Sequence, residues 1–354
     1  MMSTNSLSNI LFHRFVKLLC LGCVVMIYPT MNLKLYYSTQ NYINKIISFA
    51  LWRPQHSQLA LSYFNSTDVT IVDVTTNQIQ YTLKASLSAA PALGISDISW
   101  SSNGELLATA FEDKIINIWD LRGDFPKRLL NISYDGRAPA LSWSPDGQRI
   151  AVAWGNDDSR RILVWDVTNG MLLKTIDDGV NQFKWVLWSP DGQYLVTNTW
   201  DGHYKLWNAQ TYEPVLELPD KTGSERSSRR LATWNANGTI LAGINCLGPG
   251  GSCIIWIFNI ETHAFSEPFN YGYTSSLSSA ALSWSPDSKF LVASDESRQT
   301  VYIWDVVSKA LFVTLNKFDA PVTSTSWSSN SQQLVVSDGN VHFWSTSIAY
   351  WTTF

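Results

Sequence analysis

A tryptophan followed by a short polar turn recurs seven times along this chain, at Trp52, Trp100, Trp143, Trp188, Trp234, Trp284 and Trp327. The intervals are 48, 43, 45, 46, 50 and 43 residues. Most of these turns lead into an apolar run, then into a second aromatic followed by Asp or Asn. One unit of that size cannot bury its own apolar face, so neighbouring units must stack. The repeat runs from about residue 46 onward and overrides the two-domain prior that 354 residues would otherwise carry.

Residues 138–176 show the unit. Ala138–Ser144 (APALSWS) reads as a short apolar strand and Arg149–Ala153 (RIAVA) as its neighbour. Between them, Pro145-Asp146-Gly147 is a hairpin signal, because Asp and Gly tolerate positive φ. Gly155–Arg160 leads to a third strand, Ile162–Asp166 (ILVWD); Thr168-Asn169-Gly170 turns the chain into a fourth, Leu172–Ile176 (LLKTI). Asn103-Gly104, Asp191-Gly192 and Asn237-Gly238 repeat the turn signal, Asp287-Ser288 and Asn330-Ser331 weaken it, and His56-Ser57 is its most degraded form. Seven such sheets tilted about an axis bury their faces against each other and leave only short edges. The expectation is an all-β fold, a seven-bladed β-propeller of four-stranded antiparallel blades. The first Trp of each repeat should lie between blades. The small residues before it (Ser99, Ser142, Thr233, Ser283, Ser326; Leu51 and Leu187 depart) should face the axial channel.

The third strands end in Trp119-Asp120, Trp165-Asp166, Trp207-Asn208, Trp304-Asp305 and Trp344-Ser345, with Val72-Asp73 and Phe258-Asn259 in the two outlying repeats. Over about residues 46–354 this pattern resembles the WD-repeat family of β-propellers. Members often carry an Asp six positions before that Trp; Asp113, Asp201 and Asp338 match. Members also often carry a Gly-His pair before the first strand, whose His joins that Asp in a buried network. No such His is found, so the resemblance implies an incomplete network and greater reliance on aromatic packing. Trp-Ser-Pro-Asp-Gly also occurs in propellers of the Tol–Pal and prolyl-oligopeptidase types. Those usually lack the Trp-Asp ending, and the Trp at the third-strand position favours the WD-repeat reading.

Ring closure needs a strand borrowed across the chain ends. Leu33–Ser38 (LKLYYS), within a ring-closing segment 31–45, is the preferred donor; the tail Ser347–Phe354 (SIAYWTTF) is the alternative. The division is then residues 1–30 as a basic and apolar segment and 31–354 as the propeller. Residues 1–67 contain no Asp or Glu but carry Arg14, Lys17, Lys34, Lys45 and Arg53. Arg14 and Lys17 precede the apolar run Leu18–Tyr28, a pattern like a signal peptide or anchor. The run is short of the roughly 20 residues a spanning helix needs. Membrane contact through residues 10–28, in an anchored or exported protein, is one reading. A non-native leader, from a mis-assigned start or as the stump of a longer chain, is the other, and a cytoplasmic location is the alternative to an anchored or exported one.

A net charge of −4 argues against nucleic acid, which a basic stripe would bind. His13, His56, His203, His263 and His342 fall at unrelated repeat positions, and the chain lacks a zinc helix, a nucleophile elbow and a P-loop. No catalytic residue, cofactor or metal ligand is assigned. The expected function is a monomeric, non-catalytic scaffold for a protein or peptide partner. The alternatives are an exported Tol–Pal-type or enzyme-associated propeller, and the sensor part of a membrane-anchored signalling protein. Tyr63, Phe111 and Trp154 fall at matching ends of second strands, with Trp200 one position later and Phe183, Arg137 and Arg160 nearby. Together they are the candidate partner-binding arc, because aromatics and Arg bury much area at little entropic cost. Cys246 and Cys253 flank the Leu247–Ser252 loop between the second and third strands of repeat five. A cross-strand disulfide fits that spacing and belongs to an oxidising compartment. Cys20 and Cys23 read as small apolar residues.

Overall fold

The computed structural model describes residues 34–39, 46–84, 94–111, 115–133, 137–156, 159–177, 179, 183–199, 203–218, 232–246, 253–266, 281–295, 299–316 and 318–345. The segment Met1–Met31 is a separate unit, wholly outside them. Among the described residues all regular structure is strand, in seven four-stranded sheets.

The first strand, β1 (Lys34–Thr39), precedes blade 1 in the chain but belongs to the last blade. Blade 1 is β2 (Ile47–Trp52), β3 (Gln58–Tyr63), β4 (Asp68–Asp73) and β5 (Gln78–Lys84). Blade 2 is β6 (Ile95–Trp100), β7 (Leu106–Phe111), β8 (Ile115–Asp120) and β9 (Lys127–Ser133). Blade 3 is β10 (Arg137–Trp143), β11 (Arg149–Asn156), β12 (Ser159–Asp166) and β13 (Leu172–Asp177). Blade 4 is β14 (Phe183–Trp188), β15 (Tyr194–Thr199), β16 (Tyr204–Asn208) and β17 (Pro214–Leu218). Blade 5 is β18 (Ala232–Trp234), β19 (Ile240–Cys246), β20 (Cys253–Asn259) and β21 (Ala264–Phe265). Blade 6 is β22 (Leu282–Trp284), β23 (Phe290–Asp295), β24 (Thr300–Asp305) and β25 (Ala310–Leu315). Blade 7 is β26 (Ser324–Trp327), β27 (Gln333–Ser337) and β28 (Val341–Ser345), and its fourth strand is β1, with Leu35 opposite Trp344 and Thr39 opposite Val341. The tail Ser347–Phe354 lies outside the described residues.

The core is seven junctions rather than one centre. Each first-strand Trp packs back onto the preceding blade. Trp100 lies with Val69 and Ile71 of blade 1, Trp143 with Ile116 and Ile118 of blade 2, and Trp188 with Ile162 and Val164 of blade 3. Trp234 lies with Val196 and Leu206 of blade 4, Trp284 with Ile244 and Ile255 of blade 5, and Trp327 with Val292 and Ile303 of blade 6. Trp52 closes the circle against Val335, Val341 and Phe343 of blade 7. The third-strand aromatics Trp119, Trp207, Phe258, Trp304 and Trp344 fill the same junctions, with Trp165 partly buried against its own. Burial of this kind supplies roughly 1.5–3 kcal/mol per large apolar side chain, which is why degenerate blades survive without a complete polar network.

The inner strands run beside one another, β2 next to β26 and β6, and β10 next to β6 and β14. Small side chains on them staple adjacent blades. Ser142 Oγ accepts the Trp188 N–H at 2.8 Å, Ser326 Oγ the Trp52 N–H at 3.0 Å, and Ser324 Oγ the Ala50 N–H at 3.1 Å. Asp97 Oδ2 accepts the Leu141 N–H at 2.8 Å. The residue before the Trp is therefore small for a second reason besides crowding at the axis. The next blade's backbone comes within hydrogen-bond reach of it.

The turns joining first to second strands form a continuous ring. A Cβ on Gly104 would lie 2.4 Å from the Pro54 carbonyl oxygen, and one on Gly192 3.1 Å from Pro145 Cγ. A Cβ on Gly238 would lie 2.9 Å from Asp191 Cγ. Ser102 Oγ donates to the Pro145 carbonyl at 2.5 Å. Ser288 Oγ accepts the Ala236 N–H, Ser331 Oγ the Asp287 N–H, and Ser329 Oγ the Gln55 N–H, at 3.0, 3.0 and 2.8 Å. Every junction is bridged at this end. Ser288 and Ser331 adopt φ of 59° and 57°, close to the 68° to 75° of Gly147, Gly192 and Gly238. The weaker turn signals thus make the same turn, and their hydroxyls bond the neighbouring blade.

Candidate interaction face

In an antiparallel meander the first-to-second and third-to-fourth connections emerge at one end of the blade. The second-to-third connections, and those between blades, emerge at the other. The first end is the ring of short turns. The second carries the longest connections, those between blades at 85–94, 219–231, 266–281 and 316–323, and on a rigid scaffold such loops are where recognition resides.

Of the residues expected to form a docking arc there, three are core. Tyr63, Phe111 and Phe183 are 1 %, 2 % and 1 % exposed. Tyr63 packs in the junction of blades 7 and 1, Phe111 in that of blades 1 and 2, and Phe183 edge-on to Trp207 at 6.3 Å. The reason lies in the strand period of two. Leu59, Leu61 and Tyr63 alternate onto one buried face, as do Leu107 and Phe111. The exposed arc expected from these three is corrected accordingly: the interblade core extends to the loop end. Trp200 lies outside the described residues, as do the side chains of Trp154, Arg137 and Arg160, and Asp113 and Asp201.

What this end does expose is different. Ile46 and Phe64 are 63 % and 46 % exposed, and the Phe64 N–H donates to the Ile46 carbonyl at 2.9 Å. They flank the junction of blades 7 and 1, where the Ile47 N–H donates to Gly339 O at 3.0 Å. Farther round, the exposed side chains of Arg161 and Asp177 pair at 3.5 Å on blade 3, and His203 and Glu217 approach to 3.5 Å on blade 4. Such exposed pairs contribute little to stability and leave charged groups at the rim. Sequence reasoning passed over Ile46 and Phe64, because a lone apolar residue beside a strand reads as a strand end.

A second feature legible only in three dimensions is Arg53. In blade 1 it stands where blades 2, 3, 4, 6 and 7 have Ser101, Ser144, Ser189, Ser285 and Ser328. Those serines accept the N–H that ends the turn, Leu106, Arg149, Tyr194, Phe290 or Gln333, at 2.9 Å. Arg53 instead reaches into blade 2. Its Nε donates to the Gly104 carbonyl at 2.7 Å, Nη2 to the Leu121 carbonyl at 3.1 Å, and its guanidinium sits 5.5 Å from the Trp100 ring centroid. Burial pulls its pKa down, and the fields of Tyr81 and Glu105 act in the opposite direction.

Among the described residues no three His, Cys, Asp or Glu side chains converge as a metal site. No helix there is long and apolar enough to cross a membrane.

Seven four-stranded blades, closed by a borrowed strand and wedged by paired aromatics, define the chain as a β-propeller. It belongs to the WD-repeat family. The family model described as WD domain, G-beta repeat matches residues 170–208, 268–305 and 312–345, and that described as Anaphase-promoting complex subunit 4 WD40 domain matches 98–187. The chain is 24 % identical over 251 residues to WD repeat-containing protein AAC3 of Dictyostelium discoideum, covering 65 % of this chain and 50 % of that protein. It is 24 % identical over 170 residues to Protein HIR1 of Cryptococcus neoformans, covering 43 % of this chain and 19 % of that one. It is 24 % identical over 113 residues to WD repeat-containing protein slp1 of Schizosaccharomyces pombe, covering 31 % and 23 %. The chain thus spans half or less of the length of these relatives.

Proposed function

We propose that this propeller is a non-catalytic interaction scaffold that presents its loop-bearing end to a partner protein or peptide. The observation that carries this reading is the asymmetry of the two ends. One is knitted by turn-to-turn contacts at every junction. The other bears the longest connections between blades and, at the junction of blades 7 and 1, the exposed Ile46 and Phe64. An exposed apolar pair is the kind of anchor that binding hot spots favour, and charged pairs stand farther round the same end on blades 3 and 4. Trp154 and Trp200, in blades 3 and 4, belong to the same reading by their place in the repeat. So do a monomeric ring and membrane contact through residues 10–28. The latter rests on the basic flank and the apolar run alone.

The test is affinity capture with the full chain, its Phe64→Asp, Trp154→Ala and Trp200→Ala variants, and a Met171→Asp variant. Met171 is 63 % exposed, in a third-to-fourth strand turn at the opposite end. A partner held by wild type and by Met171→Asp, and weakened by about 2 kcal/mol in at least one loop-end variant, supports the reading. Loss with Met171→Asp and retention in all three others moves the docking surface to the opposite end.

A further inference from the structure

The register of blade 5 carries more than the spacing of its two cysteines. In β19–β20, Ile240 pairs with Asn259 and Cys246 with Cys253, with no break between them. Just outside this ladder the Ile260 N–H donates to the Thr239 carbonyl at 3.0 Å. Thr239 and Ile260 are therefore a hydrogen-bonded pair of the antiparallel ladder. Such pairs alternate strictly with non-hydrogen-bonded ones. Stepping from Thr239 to Cys246 along an unbroken register changes the type at each residue and ends on the non-hydrogen-bonded type. There the facing Cα atoms approach to about 4.5 Å, within the range a disulfide spans. The same period puts both positions on the sheet face of Ile244 and Ile255, which are fully buried in the junction with blade 6.

We propose that Cys246 and Cys253 form a reversible cross-strand disulfide closing the neck of the Leu247–Ser252 connection. The oxidant by class is a low-molecular-weight disulfide, such as oxidised glutathione. One cysteine thiolate attacks it, forming a mixed disulfide and releasing one thiol. The second cysteine, across the ladder, attacks the protein sulfur of that mixed disulfide and releases the other thiol. Two protein thiols lose two electrons and two protons; one small disulfide becomes two thiols. The bond acts on the loop-bearing end of a single blade and is independent of which partner that end binds.

The experiment uses the full-length wild-type protein in excess oxidised glutathione, then unfolded in iodoacetamide, digested and read by mass spectrometry, with a parallel sample reduced before alkylation. The expected result is a peptide carrying both cysteines, unalkylated and lighter by two hydrogens than the dithiol, which gains two alkyl groups after reduction. In Cys246→Ser, Cys253 should instead take up glutathione or the alkylating agent. Alkylation of both cysteines in the oxidised wild type, a stable glutathione adduct on each, or a bridge to Cys20 or Cys23 overturns the assignment.

Discussion

His342 Nε2–H donates to Asp338 Oδ1 at 2.8 Å inside blade 7, and both side chains are buried. The donor role follows from the carboxylate, which only accepts. Family members often bring this histidine from the segment before the first strand. Here the segment leading into that strand, β26 (Ser324–Trp327), brings Phe318, which packs edge-on to the His342 ring at 5.3 Å. The histidine comes from the third strand instead. Asp338 also accepts the N–H groups of Asp319 and Asn340, at 2.9 and 3.1 Å. The Asp–His link of the family's network is therefore present in blade 7, made with a histidine from another position, while its Trp link is not: the Trp344 indole N–H is buried with no partner among the described residues. Elsewhere it is partial. Trp119 and Trp207 donate to Thr109 and Thr197 at 3.0 Å, whereas the buried indole N–H of Trp165 has no partner among the described residues.

Removing this acceptor should be costly. Asp338→Ala strands a buried histidine and two backbone N–H groups, and should lose about 3 kcal/mol of stability in urea titrations at neutral pH. Burial alone would raise the Asp338 pKa, but the hydrogen bond and field of His342, with the two backbone donors, hold it below its ordinary 3.8. A depressed folded pKa stabilises above the unfolded value, and that stability is lost as pH falls through the folded one. The gap between wild type and variant should narrow below about pH 4, as the Asp338 carboxylate takes up its proton. A gap that does not narrow as the pH falls through that range would contradict the assignment.

Arg53→Ser would restore the serine of five other blades. A serine can accept the turn's own N–H, but it cannot reach the Gly104 and Leu121 carbonyls of blade 2. The consensus residue should therefore destabilise, by about 2 kcal/mol. A rise in melting temperature would show that the Arg53 bonds add nothing.

Two glycine substitutions separate backbone strain from contact. Gly147 and Gly104 share positive φ, 68° and 71°, but an added Cβ meets only Ser101 Cβ at 3.9 Å at the first, against Pro54 O at 2.4 Å at the second. Gly147→Ala should cost about 1–2 kcal/mol, the left-handed penalty alone. Gly104→Ala should cost clearly more, since a backbone oxygen of blade 1 must move. Equal midpoints in urea would remove the proposed turn-to-turn contact.

The seam between blades 7 and 1 is held by β1 and by the hydroxyls of Ser324 and Ser326. Ser324→Ala and Ser326→Ala each leave an inner-strand N–H unpaired and should cost roughly 1–3 kcal/mol. Deleting residues 1–42 removes the outer strand of blade 7 and should lower the melting temperature far more than either. A truncated chain that melts with wild type would assign that slot to another segment.

The ring was legible in the chain because its physics is local. Each hairpin turn needs Asp, Asn or Gly at set positions, and each blade needs an indole at a set distance, so the period alone determined the blade count and the strand order. The docking arc was misread where alternation was ignored. Tyr63 and Phe111 fall in phase with Leu61 and Leu107, and that phase already pointed inward. Only the tertiary structure decided which groups meet across junctions: Arg53 with Gly104, Ser326 with Trp52, Ser331 with Asp287. These contacts join residues dozens to hundreds of positions apart. Their partners are set by how rigid blades stack around an axis, and no local pattern encodes that geometry.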